Sequence, residues 1–379
     1  MRNGKIITAR LWTNFSGEIP SVAPVIFGIN PQKYETVCIY LAKSSSDPNI
    51  FEQKGKKVFY ITQNSKPLAF SPTAFFKIAK ILRTEGVDIL HCHKHKSVFY
   101  GAIAAKMANV PIILAHVHGM GRTRNLKRKI LNRFLLSHVD RIFAVGEAVK
   151  DDILQSNPAV KPERVINTGN SIDCDYFSSN VYNKQTVRRK FGIPENSFVF
   201  GTAGRLAPTK GLRYLIRAFA QIKKQLRNVE LLIAGTGELK DRLEKRAVKL
   251  GCKDSVHFLG HVDNMPEFFS AVDVFVLPSV AEGLPKVIIE AMAAGILCIA
   301  TNAGGIPEIL GNGPYGLIIP VKNQDALAEA MLKVANMPKQ EKSALISTAK
   351  EHIRKNFNHN VMIKKFEKIY DALVTEKIR

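Results

Sequence analysis

VFVLPSVAEGLPKVIIEAMAAG, residues 274–295, reads as one strand–loop–helix unit. Val274–Leu277 is a short apolar run with the length of a buried strand, and Pro278 and Ser279 end it. An apolar helix follows from Pro285 to Ala294. Glu282 lies in the loop between them, at the carboxyl end of the strand, where open α/β sheets bind ligands. Glu290 comes eight residues later. At helical rise that is about 12 Å and a little over two turns, which sets the two carboxylates on a similar face. Carboxylates held that far apart can accept hydrogen bonds from hydroxyl groups at opposite ends of one elongated ligand.

The strand–helix alternation runs outward through the whole chain. In the first half KIITARL (5–11), TVCIYLA (36–42), KVFYIT (57–62), VDILHCH (87–93), PIILAHVHG (111–119), RIFAVG (141–146) and RVINTG (164–169) read as strands. Helical segments lie between several of them, over 71–85, 98–108 and 147–156. In the second half FVFGTAG, VELLIAG, VHFLG, VDVFVLP, GILCIAT and YGLIIP are strands, with helices over 211–226, 239–250, 265–271, 285–294 and 323–336. Alternation of this kind predicts parallel sheets covered on both faces, and two such series predict two doubly wound α/β domains. Their expected bounds are 1–170 and 198–357, joined by a polar, poorly periodic linker over 171–197. Residues 338–379 are mostly helical in pattern.

A chain of 379 residues, 46% apolar and 8% aromatic, is long enough for two such cores. No run approaches the ~18 apolar residues of a membrane span. The amino terminus, MRNGKIITARLWTNF, lacks a signal-peptide core, so a cytoplasmic location is expected. Five scattered cysteines without a CxxC pair fit free thiols in a reducing compartment.

Net charge is the outlier, at +23 with a pI near 9.8. Such a surface attracts polyanions. Most lysines read as a solvated face, but GMGRTRNLKRKILNRFLLSH (119–138) holds Arg122, Arg124, Lys127, Arg128, Lys129 and Arg133 without an acid. Leu126, Ile130, Leu131, Phe134 and Leu135 recur there at helical spacing. A basic amphipathic helix of this kind suits an anionic membrane surface. The bland alternative, a surface helix packed on its own domain, explains the leucines and leaves the missing acids unexplained.

Phosphate chemistry concentrates in the second half. GTAGRLAPTKGLRYLIRAF (201–219) follows a strand and opens a helix, with Gly201 and Gly204 allowing a tight turn. Arg205 and Lys210 project from that loop, a planar fork and a point charge suited to a diphosphate. Gly235-Thr236-Gly237 begins like a dinucleotide fingerprint, but Lys240 stands where the third glycine belongs, which argues against a nicotinamide site.

Taken together, Gly204-Arg205-Leu206 with Lys210-Gly211, the run Ala234–Glu238, HFLGHV (257–262) and EGLPKVIIEAMAAG followed by TNAGGIPEIL resemble the retaining glycosyltransferases of family 4, with Glu282 and Glu290 matching their E-x7-E signature. The resemblance spans the chain and is strongest from about Val199 to Pro320. It implies a GT-B fold, two Rossmann-like domains facing across a cleft, the first binding the acceptor and the second the nucleotide sugar, with the terminal helix near 358–379 packing back on the first domain. It also implies a nucleotide-sugar donor, UDP favoured. Arg205 and Lys210 would hold the diphosphate and stabilise the departing charge. Glu290 would bind the ribose and Glu282 the transferred sugar. The amides of Gly283 and Leu284 would face sugar and phosphate oxygens at a helix amino terminus. Gly204 and Gly235 would border the phosphates, and His261 and Val262 the base.

In the first half Ser16-Gly17-Glu18 stands where the family has a Gly-Gly loop, which sets Gly17 near the donor with one glycine of the pair replaced. DILHCHKH (88–95) and AHVHG (115–119) match family strand ends, and His118 is assigned to the donor sugar. His91, His93, His95 and His116 read as structural. VINTGNSIDCDYF (165–177) matches the element at the domain junction, and its Asp173-Cys174-Asp175 is discounted as a metal site. No metal or other cofactor is expected. The resemblance implies front-face attack with the leaving phosphate assisting the acceptor, and domain closure excluding water. The acceptor is expected to be a cell-surface glycan or glycolipid at the inner face of an anionic membrane. A sugar-nucleotide epimerase of the same plan is disfavoured by the EGLPKVIIE arrangement. A nucleic-acid-binding protein is disfavoured because the basic helix carries a single aromatic, Phe134.

Overall fold

The computed structural model describes residues 4–16, 20, 22–63, 70–121, 126–180 and 182–378, and only the backbone of 126–130. Among these residues thirteen strands form, in chain order β1 (Ile6–Phe15), β2 (Tyr34–Lys43), β3 (Val58–Thr62), β4 (Ile89–His93), β5 (Ile112–Val117), β6 (Arg141–Ala144), β7 (Val165–Asn167), β8 (Phe198–Ala203), β9 (Val229–Ala234), β10 (Val256–Gly260), β11 (Val274–Leu277), β12 (Leu297–Thr301) and β13 (Leu317–Ile319). They build a seven-stranded sheet in the order β3-β2-β1-β4-β5-β6-β7 and a six-stranded sheet in the order β10-β9-β8-β11-β12-β13. Every pairing in both is parallel. The central strands β4, β9 and β11 are buried along their whole length, as expected of a parallel sheet with helices on both faces.

Two compact units result: residues 1–170 with 359–379, and residues 171–358. Each is Rossmann-like, because each sheet reverses its winding once. The reversal falls between β1 and β4 in the first and between β8 and β11 in the second. Adjacent loops diverge at such a point and leave a crevice at the carboxyl ends of the strands. In the second unit the diverging loops are 204–211 and 278–285.

Residues 171–197, read from their polarity as a linker, instead carry two helices (Cys174–Ser179 and Lys184–Lys190) and fold within the second unit. Much of that polarity is turned inward. Arg188 is 4% exposed and donates to the carbonyls of Ala271, Glu195 and Ser197 and to Asp273 Oδ2 at 2.7–3.1 Å. Asp173 caps the first of these helices through Tyr176 N, and Asp175 pairs with Arg354, so each acid of the D-x-D string has a structural partner.

The terminal helix His359–Lys377 belongs to the first unit. Phe366 and Tyr370 are fully buried with Ile6, Ile89, Ile112 and Leu114 of its sheet. All five cysteines are free and buried. Phe366→Ala should remove about 3–5 kcal/mol of stability, read as a lower urea midpoint for unfolding of the first unit. An unchanged midpoint would show that the terminal helix is not part of that core.

Candidate active site

In the second unit the site begins with backbone contact between the two diverging loops. Gly211 has φ +64, and a Cβ there would lie 2.0 Å from the Pro278 carbonyl oxygen. Val280 N donates to Thr209 O at 2.7 Å across the same seam. Gly235, with φ +130, brings the loop after β9 equally close to the Gly204 carbonyl. Glycine alone fits both positions without strain. The loops after β8, β9 and β11 are thereby packed together at the switch point.

Side chains complete this seam. Lys210 Nζ donates to Glu282 Oε1 at 2.6 Å, and Ser279 Oγ donates to the same oxygen at 2.6 Å. The two ionic side chains are 22% and 10% exposed. Among the described residues Glu282 Oε2 takes no bond, so one oxygen is anchored and the other presented. Ser279 is itself buried, and its carbonyl accepts from Thr301 Oγ1. Arg205 is exposed on the loop before Lys210. The helix Lys286–Ala293 starts four residues beyond Glu282. Glu282 is therefore placed by loop bonds and not by helical periodicity, which corrects the spacing argument made from sequence. Glu290 is partly buried on that helix. Burial raises its pKa, and Lys286 one turn earlier opposes the rise. Burial likewise lowers the pKa of Lys286, with Glu290 opposing. Leu284 is buried just before the helix, and Gly283 O accepts from Gly305 N at 2.9 Å. His261 is exposed beyond β10 and bonds Asp263, with Val262 partly covered beside it.

The first unit holds a histidine array. His91 and His93 alternate along β4, and His116 and His118 continue the pattern on and just beyond β5; β4–β5 pairing sets His93 opposite His116. A strand period of two puts all four rings on one face. Ring centroids are 4.7 Å apart for His91–His93, 5.2 Å for His93–His116 and 4.3 Å for His116–His118. His93 Nδ1 and His118 Nε2 share a hydrogen bond of 3.2 Å. His91, His93 and His116 are buried, while His118 is partly exposed.

The nitrogens of His91, His93 and His116 lie within 4.8 Å of one another, close enough to consider a metal. Arg10 opposes it. Its guanidinium, 1% exposed, donates to His91 Nδ1 at 2.7 Å and sits over the rings of Phe366 and Tyr370. A neutral His91 accepting at Nδ1 carries its proton on Nε2 and has no lone pair left for an ion. A fixed cation beside the cluster repels a second one.

Residues 183–352 match the family described as glycosyl transferases group 1, and residues 32–176 match glycosyltransferase family 4. The two matches together make the chain a glycosyltransferase. This glycosyltransferase is 28% identical over 314 residues to the UDP-Gal:alpha-D-GlcNAc-diphosphoundecaprenol alpha-1,3-galactosyltransferase of Escherichia coli, covering 80% of each chain. Its GT-B fold is shared with a glycosyltransferase of Rickettsia africae at 20% identity, TM-score 0.83, over 98% of this chain and 99% of that one. It is shared too with Anabaena Alr3699/HepE, solved with UDP and glucose, at 21% identity and TM-score 0.83, over 97% and 100%.

Within the glycosyltransferase, Gly204, Arg205, Lys210, Gly235, Glu282, Gly283, Leu284 and Glu290 all lie on β8, β9 and β11 loops or the helix after β11. Gly17, Arg122 and Arg124 lie outside the described residues, as do the side chains of Lys127, Arg128 and Lys129. The helix Leu126–Ser137 is formed, with Arg133 and Phe134 exposed and Leu135 buried. Sequence reading missed Ser279 and Arg10. In the sequence Ser279 reads only as a strand stop. Arg10 could have been found as a lone charge inside an apolar strand. Lys94, between β4 and the helix His95–Ala108, has φ 70 and ψ 159. That region is almost confined to glycine and costs on the order of 1–3 kcal/mol.

Burial, with Arg10 and the neighbouring rings adding to it, holds His91, His93 and His116 well below the ordinary 6.5. In the unfolded chain they protonate as the pH falls through that value, while the native state stays neutral. Their contribution is thus complete above 6.5 and lost below it, by up to about 1.4 kcal/mol per histidine per pH unit. The urea midpoint of the first unit should fall steadily from pH 7 to pH 5. A flat profile would contradict the neutral, buried array.

Proposed function

We propose that the enzyme moves a sugar from a nucleotide-diphosphate donor, UDP-sugar favoured, to a hydroxyl of a membrane-held glycan or glycolipid, with retention and without a metal ion. The observation that carries this is the Lys210–Glu282 pair at the switch point, with one carboxylate oxygen anchored and the other presented beside a cation. Lys210 and Arg205 neutralise the donor diphosphate and the charge that develops on the departing nucleotide, the work a divalent ion does elsewhere. Glu282 Oε2 accepts from a hydroxyl of the transferred sugar. Glu290 accepts from the ribose, and the amides near Gly283 and Leu284 face sugar and phosphate oxygens. Gly204 and Gly235 let the diphosphate approach the backbone, and His261 and Val262 border the base. His118, held by His93, meets the donor sugar.

No carboxylate in this arrangement stands as an evident nucleophile, which favours front-face attack with the leaving phosphate taking the acceptor proton. UDP is favoured because HepE is seen with UDP and glucose and the Escherichia coli relative is named for UDP-Gal. That relative is also named for a lipid diphosphate acceptor, which supports a lipid-linked acceptor; its place at the inner face of the membrane is part of our reading. No helix among the described residues is long and apolar enough to cross a membrane. Contact with the bilayer is assigned to the basic segment with Arg122, Arg124, Lys127, Arg128, Lys129 and Arg133.

A thermal-shift screen in EDTA against UDP-, GDP- and ADP-sugars tests the donor reading, since a ligand of the native state raises its melting temperature. UDP-sugars should give the largest shift. Glu290→Gln should weaken binding roughly tenfold or more through loss of charge-assisted bonds, and Lys210→Ala should lower kcat by roughly 10²–10³. A shift that needs a divalent ion, or one untouched by Glu290→Gln, overturns the metal-free or the ribose assignment respectively. Alanine at Arg122, Lys127, Arg128 and Lys129 together should abolish low-salt binding to vesicles containing phosphatidylglycerol. Undiminished binding removes the basic segment from the membrane contact.

A further inference from the structure

A cavity of about 50 Å³ opens in the first unit at the carboxyl ends of β4 and β5. It offers roughly three to four water-sized positions. Its walls are mainly apolar, from Val98, Leu136, Ile142 and Ile153, and His118 lies at its lining together with the exposed Lys94. Two buried polar side chains also line it, Asn132 at 3% exposure and His116 at 1%. Asn132 Oδ1 is bonded to His95 Nε2 at 2.8 Å, and Asn132 Nδ2 has no partner. Neither ring nitrogen of His116 has one either. A buried amide left unpaired is costly, so an orphaned one beside a cavity points to a ligand that completes it.

The walls decide what kind of ligand. A phosphate would lose its hydration against walls that are mainly apolar, where Val98, Leu136, Ile142 and Ile153 offer its charged oxygens nothing in return. A purely apolar group would leave Asn132 Nδ2 unsatisfied. An acetamido group answers both demands. Its methyl suits Val98, Leu136 and Ile153, and its carbonyl can accept from Asn132 Nδ2. Asn132 also has one polar atom held by His95 whichever way its amide is turned, and acetamido carries both an N–H and a C=O to meet the other. Its bulk matches the space. We propose that this cavity receives the acetamido group of an N-acetylhexosamine, making a 2-acetamido sugar the acceptor, with its ring beside His118. This rests on the reading that the first unit binds the acceptor.

Saturation-transfer NMR with methyl N-acetyl-α-D-glucosaminide and methyl α-D-glucoside tests it directly, because it needs no turnover. The acetyl methyl should be the most strongly saturated group, and methyl glucoside should show at least tenfold weaker contact. Val98→Phe, which fills the cavity, should erase the preference, and Asn132→Ala should weaken it several-fold. A cooperative urea transition of the first unit in the same variants certifies that this unit is folded, and UDP thermal shifts, governed by the second unit, should match the unaltered protein. Equal contact by the two glycosides, or a preference that survives Val98→Phe in a protein that still shows the UDP shift, overturns the proposal. The glycoside contrast decides the cavity and the UDP shift decides the donor reading, so failure of one is not mistaken for failure of the other.

Discussion

One carboxylate oxygen, Glu282 Oε1, takes hydrogen bonds from Lys210 and from Ser279, and the second unit's site depends on it. Lys210 belongs to the loop after β8 and Glu282 to the loop after β11, the two loops that part at the reversal of the sheet. Held apart by topology, they are tied again by an ion pair whose partners are mostly screened from water. Such a pair contributes less to stability than to position, since desolvation offsets much of its attraction. The backbone makes the pair possible. With a side chain at position 211 the loops would collide at the Pro278 carbonyl before Lys210 could reach its partner.

The first unit is organised around a charge of the opposite kind of isolation. Arg10 is buried among rings, bonded to an imidazole and covered by Phe366 and Tyr370 from the terminal helix. Its presence fixes His91 as an acceptor and makes protonation of the neighbouring imidazoles costly. The array that positions His118 is therefore kept neutral, and the terminal helix is what closes it off from water. A segment nearly 270 residues away from β4 in sequence thus sets the electrostatics at that strand's end.

Much of the fold was legible because period and punctuation are local. Apolar runs ended by Pro278 or Gly235 gave strands close to their observed bounds, and the E-x7-E element located the site's loop. The segment 171–197 reads as a linker because composition reports polarity without its destination, and it folds within the second unit. Arg188 looks like a solvated charge in sequence, yet it is buried against three carbonyls and Asp273. The histidines were legible one by one but not as an array. Both H-x-H pairs have the strand period, and only the pairing of β4 with β5 adds them into one face.

The sequence by itself determined the βα order, the identity of Arg205, Lys210, Glu282 and Glu290, and their grouping in one half of the chain. The order follows from residue type and short-range spacing, and the family resemblance singled out the four side chains. Tertiary structure decided which side chains meet. Strand order brought loops about 70 residues apart into contact, and through them Lys210 to Glu282. It also set Asn132 beside a cavity with one hydrogen bond made and one missing. Spacing along a chain cannot encode such meetings, because they depend on how sheets wind and on which polar atoms packing leaves without a partner.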